Sequence, residues 1–238
     1  MESIFTELHQ QIEADAANKE TLRQIEREFA QDTAHIKSAL HLSAAPTQLQ
    51  VPDHRAELLK LFNTYNDKLK PVVNSDRLSD RFTQELLTLY LTNGYFLEVK
   101  RAFASDLDTI TINLMDVVIP PAQLIAQGFH NDENVLEYSH YLLSVLTMVD
   151  AIVEYTSDAI INVSMEPGAD KRQYAIGPAN LDIVNKLSTG FGMLDLKNDG
   201  IRRKYDGLKY AVKRINGFVY DLSLRGLITV KPEVVESA

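Results

Sequence analysis

The sequence predicts an all-α protein. Apolar residues recur at spacings of three and four along most of the 238-residue chain, which is the periodicity of one face of an α-helix. Only ten Gly and eight Pro occur, too few for an architecture with many tight turns. Hydrophobic residues make up 45% and charged residues 24% of the chain, as is typical of a globular protein with a sizeable core. We therefore expect a bundle of long helices.

The first helices are predicted from apolar runs and the breaks between them. Apolar residues at helical spacing up to Leu40 indicate one or two helices. The segment 43–53 (SAAPTQLQVPD) ends this run, and Asp53 is a candidate cap for the next helix. A further helix is predicted from about Asp76 through Phe103.

The second half of the chain is predicted to continue the same bundle. Residues 105–121 alternate like a strand but are short and close on two prolines, so a helix or turn is predicted there. The most apolar helix is expected from about Asn134 to Val163. Residues 165–178 (MEPGADKRQYAIGP) are predicted to be a mobile loop. The helices on both sides of it are strongly apolar, which favours one domain over residues 1–228 with a tail at 229–238.

The last predicted helix combines an apolar seam with basic residues. Its apolar positions alternate at spacings of four and three, as in a heptad repeat: Ile201, Tyr205, Leu208, Val212, Ile215, Val219 and Leu222. Residues 197–214 carry a formal charge of +5 in a chain whose net charge is −9. These basic residues either keep a packed helix soluble or form a patch that phosphates sense within a Debye length of about 8–10 Å.

Missing residue types and motifs exclude several classes of function. The chain has no Cys, which excludes disulfides, thiolate metal ligands and cysteine nucleophiles. No GxxxxGK[ST] loop is present for nucleotide phosphates. His130 and His140 flank a predicted helix start and are interpreted as structural, so no metal site is predicted. The acidic N-terminus resembles no secretory signal, and no apolar run reaches the length of a membrane span.

The segment LKNDGIRRKYDGLKYAVKRINGFVYDLSLRGL, residues 196–227, closely resembles the C-terminal signature of the translin family, above all in LKND, RKYDGLKY and VYDLSLRG. Similarity to the family continues in YLLSVL (141–146), RFTQELLTLYLTNGYFLE (81–98) and LRQIEREF (22–29). The resemblance implies an all-α fold of about seven helices, assembled into a hollow homo-octamer that binds single-stranded RNA and DNA on its interior. It also implies a partner, the paralogue translin-associated factor X, with which family members form a hetero-octameric endoribonuclease.

The resemblance further implies two nucleic-acid-binding segments, one in the first helix and one just before residue 82. The candidate contacts on them are Arg23, Arg27, Arg77 and Arg81. In the second segment, NSDRLSDRF, Ser75 and Ser79 stand where the family pattern has basic residues, which implies weaker binding or binding that uses other positions. Acidic residues adjoin all four arginines in the sequence, so surface ion pairs are the alternative.

Catalysis is the second question that the resemblance raises. In the paralogue, two glutamates and an aspartate hold Mg²⁺, which prefers oxygen ligands. The corresponding positions here are Glu98, Tyr95 and Thr147, which leaves Glu98 as the one catalytic candidate. A rearranged metal site formed by Glu98 with Asp150 and Glu154 remains an alternative. We expect a protein without a cofactor that is not an enzyme on its own, with a Mg²⁺-dependent endoribonuclease as the alternative.

Self-association gives the apolar seam a second interpretation. Heptad seams pack against partner helices, so an oligomer seam is predicted at Tyr205, Leu208, Val212, Ile215 and Val219. Closing identical subunits around a cavity would also repeat each basic patch on every subunit. We expect a cytoplasmic protein, with a nuclear location left open.

Overall fold

The computed structural model describes residues 2–105, 110–129, 136–197 and 200–228. Its α-helices in those ranges are α1 (Glu2–Leu40), α2 (Arg55–Leu69), α3 (Asp76–Ala104), α4 (Leu114–Val117), α5 (Pro121–Gln127), α6 (Tyr138–Met165), α7 (Ile176–Gly192) and α8 (Gly200–Leu224). Short 3₁₀ turns occur at Pro46–Gln48 and Lys171–Ala175. The described ranges contain no strand, so the prediction of an all-α fold is confirmed.

Helices α3 and α6 form the middle of the bundle. Helix α3 buries every residue from Tyr90 to Phe96, so neighbours cover it on more than one side. Helices α1, α2 and α4 pack against α3, whereas α7 and α8 pack against α6 and against each other. The main apolar core therefore extends from α1 to α8 through the contact between α3 and α6. No helix in the described residues is long and apolar enough to cross a membrane.

Three aromatic rings hold α1, α2 and α3 together beside the predicted arginines. Phe29 of α1 stacks on Phe82 of α3 with ring centroids 3.7 Å apart, and Tyr65 of α2 meets Phe29 edge-on at 5.0 Å. The Tyr65 hydroxyl donates a 2.7 Å hydrogen bond to the Asp32 carboxylate. Burial and this bond raise the pKa of Tyr65 above its usual value. Because Phe82 directly follows Arg81, this packing fixes the start of α3 against α1.

A buried polar network joins α3, α6 and α7. The side-chain amide of Asn180 donates hydrogen bonds of 2.8 Å to the hydroxyls of Tyr95 and Thr156. Thr156 in turn donates to the carbonyl of Ile152. Tyr95, Thr156 and Asn180 are all fully buried, so these bonds replace contacts with water that folding removes. The network therefore aligns three helices through one amide.

Several predicted boundaries agree with the structure. The first block is one continuous helix, and α3 ends one residue beyond the predicted Phe103. Helix α2 begins at Arg55 with His54 at the N-cap position, where no side-chain capping hydrogen bond is made, so the prediction of Asp53 as the cap is wrong by one residue. The Asp53 carboxylate, just before the cap, accepts the Arg55 backbone N–H at 3.1 Å. Within the region predicted as helix or turn, residues 114–117 form α4. The predicted start of the apolar helix at Asn134 and the tail at 229–238 lie outside the described residues.

The loop predicted for residues 165–178 is shorter than expected. The 3₁₀ turn Lys171–Ala175 leads directly into α7 at Ile176. Gln173 is only 4% exposed, and its side-chain oxygen accepts a 2.7 Å hydrogen bond from the Thr47 hydroxyl. The prediction of a loop is therefore wrong for its second half. A partner 126 residues away holds that part of the chain, and local composition carries no sign of it.

Candidate nucleic-acid interface

The four arginines predicted from the sequence lie on two helices that contact each other. Arg23 and Arg27 belong to α1, whereas Arg77 and Arg81 belong to the start of α3; together we call them the arginine surface. Arg81 donates a 2.6 Å hydrogen bond to the Glu26 carboxylate, which crosses from α3 to α1. The Asn18 amide also donates to the Val73 carbonyl at 2.8 Å, just before α3 begins. These contacts place both basic segments on adjacent helices.

Three members of the arginine surface form exposed ion pairs. Arg27 and Arg23 lie 3.0 and 3.6 Å from the Glu20 carboxylate. Arg81 pairs with Glu26, as described above. Arg77 has no ion-pair partner among the residues that the structure describes. Exposed pairs contribute only about 0–1 kcal/mol, so the predicted ion pairs are present and still weak enough to exchange for a phosphate.

Helix α8 presents a second basic surface in which aromatic rings lie among the charges. We define the α8 basic face by six exposed residues: Arg203, Lys209, Tyr210, Lys213, Arg214 and Tyr220. The rings of Tyr210 and Tyr220 are open to solvent, since the two residues are 66% and 65% exposed. The Lys209 ammonium lies 5.1 Å from the Tyr210 ring centroid. Such a surface suits single-stranded nucleic acids, because phosphates bind the cations and bases stack on the exposed rings.

The seam predicted on α8 packs within its own chain. Leu208, Ile215 and Val219 belong to the core of the subunit, and α8 contacts both α6 and α7. Tyr205 is half-buried and stacks on Phe191 of α7 with centroids 5.9 Å apart. Val212 is also half-buried. The helices that cover the seam are therefore α6 and α7 of the same chain, and a role between subunits stays a prediction.

Glu98, the catalytic candidate, is bound to a guanidinium. Its carboxylate accepts a hydrogen bond from Arg101 Nε at 2.7 Å and lies 2.6 Å from Nη2 of the same guanidinium. Tyr95, at one of the other two corresponding positions, is buried and bonded to Asn180. Asp150, which the sequence left as a further ligand, pairs with Lys204 of α8. Among the described residues, no group of three potential metal ligands includes Glu98.

The structure also brings together three residues that the sequence did not suggest as a site. His35 Nε2 of α1 lies 3.0 Å from the Glu57 carboxylate of α2, and His54 Nδ1 lies 3.1 Å from the same carboxylate. A partial signal was present, since His54 and Glu57 are three residues apart and share one face of a helix start. His35 joins them only through the packing of α1 on α2. His130, singled out from the sequence, lies outside the described residues.

Comparison with known proteins matches most of this chain. A family model described as the Translin family matches residues 17–226. The chain is 29% identical to the translin of Mus musculus over 233 residues, which cover 94% of this chain and 92% of the mouse protein. The translin of Cricetulus griseus shows the same identity and coverage. The translin of Gallus gallus is 40% identical over 101 residues, or 42% of this chain and 38% of the chicken protein.

Proposed function

The chain belongs to the translin family, and from this premise we propose that it is a single-stranded RNA- and DNA-binding protein that assembles into a hollow homo-octamer. The observation that carries this proposal is the arginine surface, where residues from two distant parts of the sequence meet on adjacent helices. We further propose that the chain is the non-catalytic scaffold of an endoribonuclease formed with translin-associated factor X. The expected compartment is the cytoplasm, with the nucleus open as a second location.

The arginine surface suits a phosphate backbone better than a small ligand. Its cations are spread along two helices and exposed to solvent, so each one can meet a different phosphate. The logarithm of the affinity falls linearly with the logarithm of the salt concentration. Each phosphate contact to a single strand adds about 0.7 to the magnitude of that slope. A few contacts per subunit thus become tight, salt-sensitive binding when an assembly repeats them.

The α8 basic face supports the same proposal through a different contact. Tyr210 and Tyr220 offer open rings on which bases can stack without any preference for sequence. Their neighbours Lys209 and Lys213 are exposed and can pair with the adjoining phosphates. Under this proposal, the basic segment of α8 is a binding surface for nucleic acid. The negative charge on the rest of the chain repels other anions.

Charge reversal tests whether the arginine surface binds nucleic acid. Fluorescence anisotropy of a labelled single-stranded oligonucleotide should show weaker binding and a shallower salt dependence for Arg81→Glu and Arg77→Glu than for the wild type. Lys186→Glu on α7 is the matched control, because it makes the same charge change at another exposed ion pair and should leave binding nearly unchanged. An unaltered salt slope in both arginine variants would contradict the assignment.

Assembly is tested by the solution mass of the full-length protein with and without oligonucleotide. Light scattering should give an octamer in both states, and a mass increment equal to the bound strand when oligonucleotide is present. Charge reversal at Arg77 or Arg81 should leave the octamer mass unchanged. Monomers that bind strands as tightly as the wild-type assembly would overturn the proposed architecture.

The enzymatic alternative is tested with the same purified protein. Incubation with single-stranded RNA and Mg²⁺ should give binding without cleavage, because Arg101 occupies the Glu98 carboxylate and no group of three potential metal ligands includes Glu98 within the described residues. Cleavage that Glu98→Ala abolishes would establish a metal-dependent endoribonuclease instead. Cleavage that depends on added translin-associated factor X would support the scaffold role.

A further inference from the structure

Two imidazoles and one carboxylate converge beside the N-terminus of α2. Glu57 has one carboxylate oxygen 3.0 Å from His35 Nε2 and the other 3.1 Å from His54 Nδ1. One potential ligand atom from each of the three residues lies within 4.8 Å of the other two. The His35 and Glu57 side chains are 54% and 45% exposed, so the cluster opens to solvent on that side.

The distances match the needs of a small divalent transition-metal ion. Tetrahedral Zn²⁺ binds nitrogen and oxygen ligands at about 2.0–2.1 Å, which sets neighbouring ligand atoms about 3.3 Å apart. The two separations from the Glu57 carboxylate, one to each of its oxygens, are within a few tenths of an ångström of that value.

The surrounding structure holds two of the three ligands in place. The backbone N–H of His54 donates a 3.0 Å hydrogen bond to the Asn93 side chain, and Asn93 donates at 2.9 Å to the Pro52 carbonyl. Asn93 is fully buried on α3, so the start of α2 is anchored to the centre of the bundle. Glu57 lies in the first turn of α2 and shares a helix face with His54.

We propose that His35, His54 and Glu57 form a binding site for a divalent transition-metal ion, with Zn²⁺ as the best match. Imidazole nitrogens favour Zn²⁺ and its neighbours in the first transition row, whereas Mg²⁺ prefers sites made of oxygen ligands. Two histidines and one glutamate leave a fourth tetrahedral position for water. This site is independent of the proposed nucleic-acid binding, because none of its residues belongs to the arginine surface or the α8 basic face.

Two of the proposed ligands, His35 and Glu57, line a cleft between α1 and α2. Its volume is about 730 Å³, and its lining includes Asp32, His35, Glu57, Lys60 and Thr64. The cleft admits water and small anions to the metal. A bound ion would also link α1 to the start of α2, which only noncovalent packing joins otherwise, so that Zn²⁺ should raise the thermal midpoint of unfolding.

One feature of His54 limits the expected affinity. Its Nε2 is buried and has no hydrogen-bond partner among the described residues. When Nδ1 binds a metal, the imidazole proton resides on Nε2, where an acceptor normally orients the ring. The lack of such an outer partner typically weakens metal binding by about 10–100-fold. We therefore expect a weaker site than a structural zinc centre.

Calorimetric titration tests the site with the untagged full-length protein after treatment with a chelator. Zn²⁺ should bind with one ion per chain, and Mg²⁺ should give no saturable heat. His35→Ala and Glu57→Gln should each weaken Zn²⁺ binding by about tenfold or more, since each removes a direct ligand. Co²⁺ should give the intense visible absorption of a tetrahedral site in the wild type and lose it in both variants.

The matched control is His9→Ala. His9 lies 3.3 Å from Glu13 on the same helix but has no second imidazole, so its loss should leave Zn²⁺ affinity unchanged. Circular dichroism verifies that each variant is folded, and Glu57→Gln keeps the shape of the side chain. The proposal is overturned if the wild type shows no stoichiometric Zn²⁺ binding, or if both ligand variants bind Zn²⁺ as tightly as the wild type.

Discussion

The Glu26 carboxylate on α1 and the Arg81 guanidinium on α3 lie 2.6 Å apart, although 55 residues separate them in the sequence. This contact has two effects. It aligns the basic start of α3 with the basic part of α1, and it places a negative charge within the arginine surface. A phosphate that approaches Arg81 must therefore compete with Glu26 for the same guanidinium.

Glu26→Gln should increase the affinity for single-stranded nucleic acid. The exposed pair contributes about 0–1 kcal/mol, so its removal should strengthen binding by up to about fivefold per site. Anisotropy titrations at fixed salt measure the change. Glu13→Gln, which neutralises another exposed glutamate of α1, is the control and should have a smaller effect. Weaker binding by Glu26→Gln would mean that the pair orients Arg81 for phosphate contact.

Asn180→Ala should lower the free energy of unfolding by about 1–3 kcal/mol. The substitution leaves the buried hydroxyl of Tyr95 without its donor and removes a bond to Thr156. Urea denaturation followed by circular dichroism measures the loss. Asn185→Ala, at an exposed position of the same helix, should change stability by less than about 0.5 kcal/mol. Equal effects at the two positions would show that the buried network adds nothing specific.

Leu208→Glu should unfold or strongly destabilise the subunit itself. Leu208 is 3% exposed and belongs to the core, so a carboxylate there would be buried without a partner, at a cost of about 3 kcal/mol or more. Lys209→Glu, one residue further on, is exposed and should leave folding intact. Denaturation and light scattering are measured together. A Leu208→Glu protein with wild-type stability that no longer assembles would instead identify the seam as a contact between subunits.

Tyr141→Phe should make the protein more resistant to alkaline unfolding. Burial raises the pKa of Tyr141 to about 12, above its ordinary value of 10. Because the pKa is higher in the folded state, the contribution of the protonated phenol to folding stability is fully present below pH 10. This contribution is lost as the pH rises towards 12. Phenylalanine has no proton to lose, so the alkaline midpoint should move upward. Circular dichroism against pH measures the shift, and Tyr210→Phe at an exposed position should leave the midpoint in place.

Much of the fold could be predicted from local patterns. The bounds of α3 depend on residues close together in the sequence, and the structure places them near their predicted positions. The segment 165–178 shows where this approach fails. Its two glycines and two prolines indicate a loop, but Gln173 is buried and accepts a hydrogen bond from Thr47. A contact across 126 residues leaves no trace in the composition of either segment.

The sequence by itself determined the fold class, the positions of the main helices, the family signature and the identity of the exposed arginines. All of these depend on helical periodicity or on runs of residues that are adjacent in the chain. Only the tertiary structure decided which carboxylate lies against Arg81, that α6 and α7 cover the α8 seam, and that His35 meets His54 and Glu57. These relationships are set by how helices pack, because packing brings together side chains from distant parts of the sequence that share no local pattern.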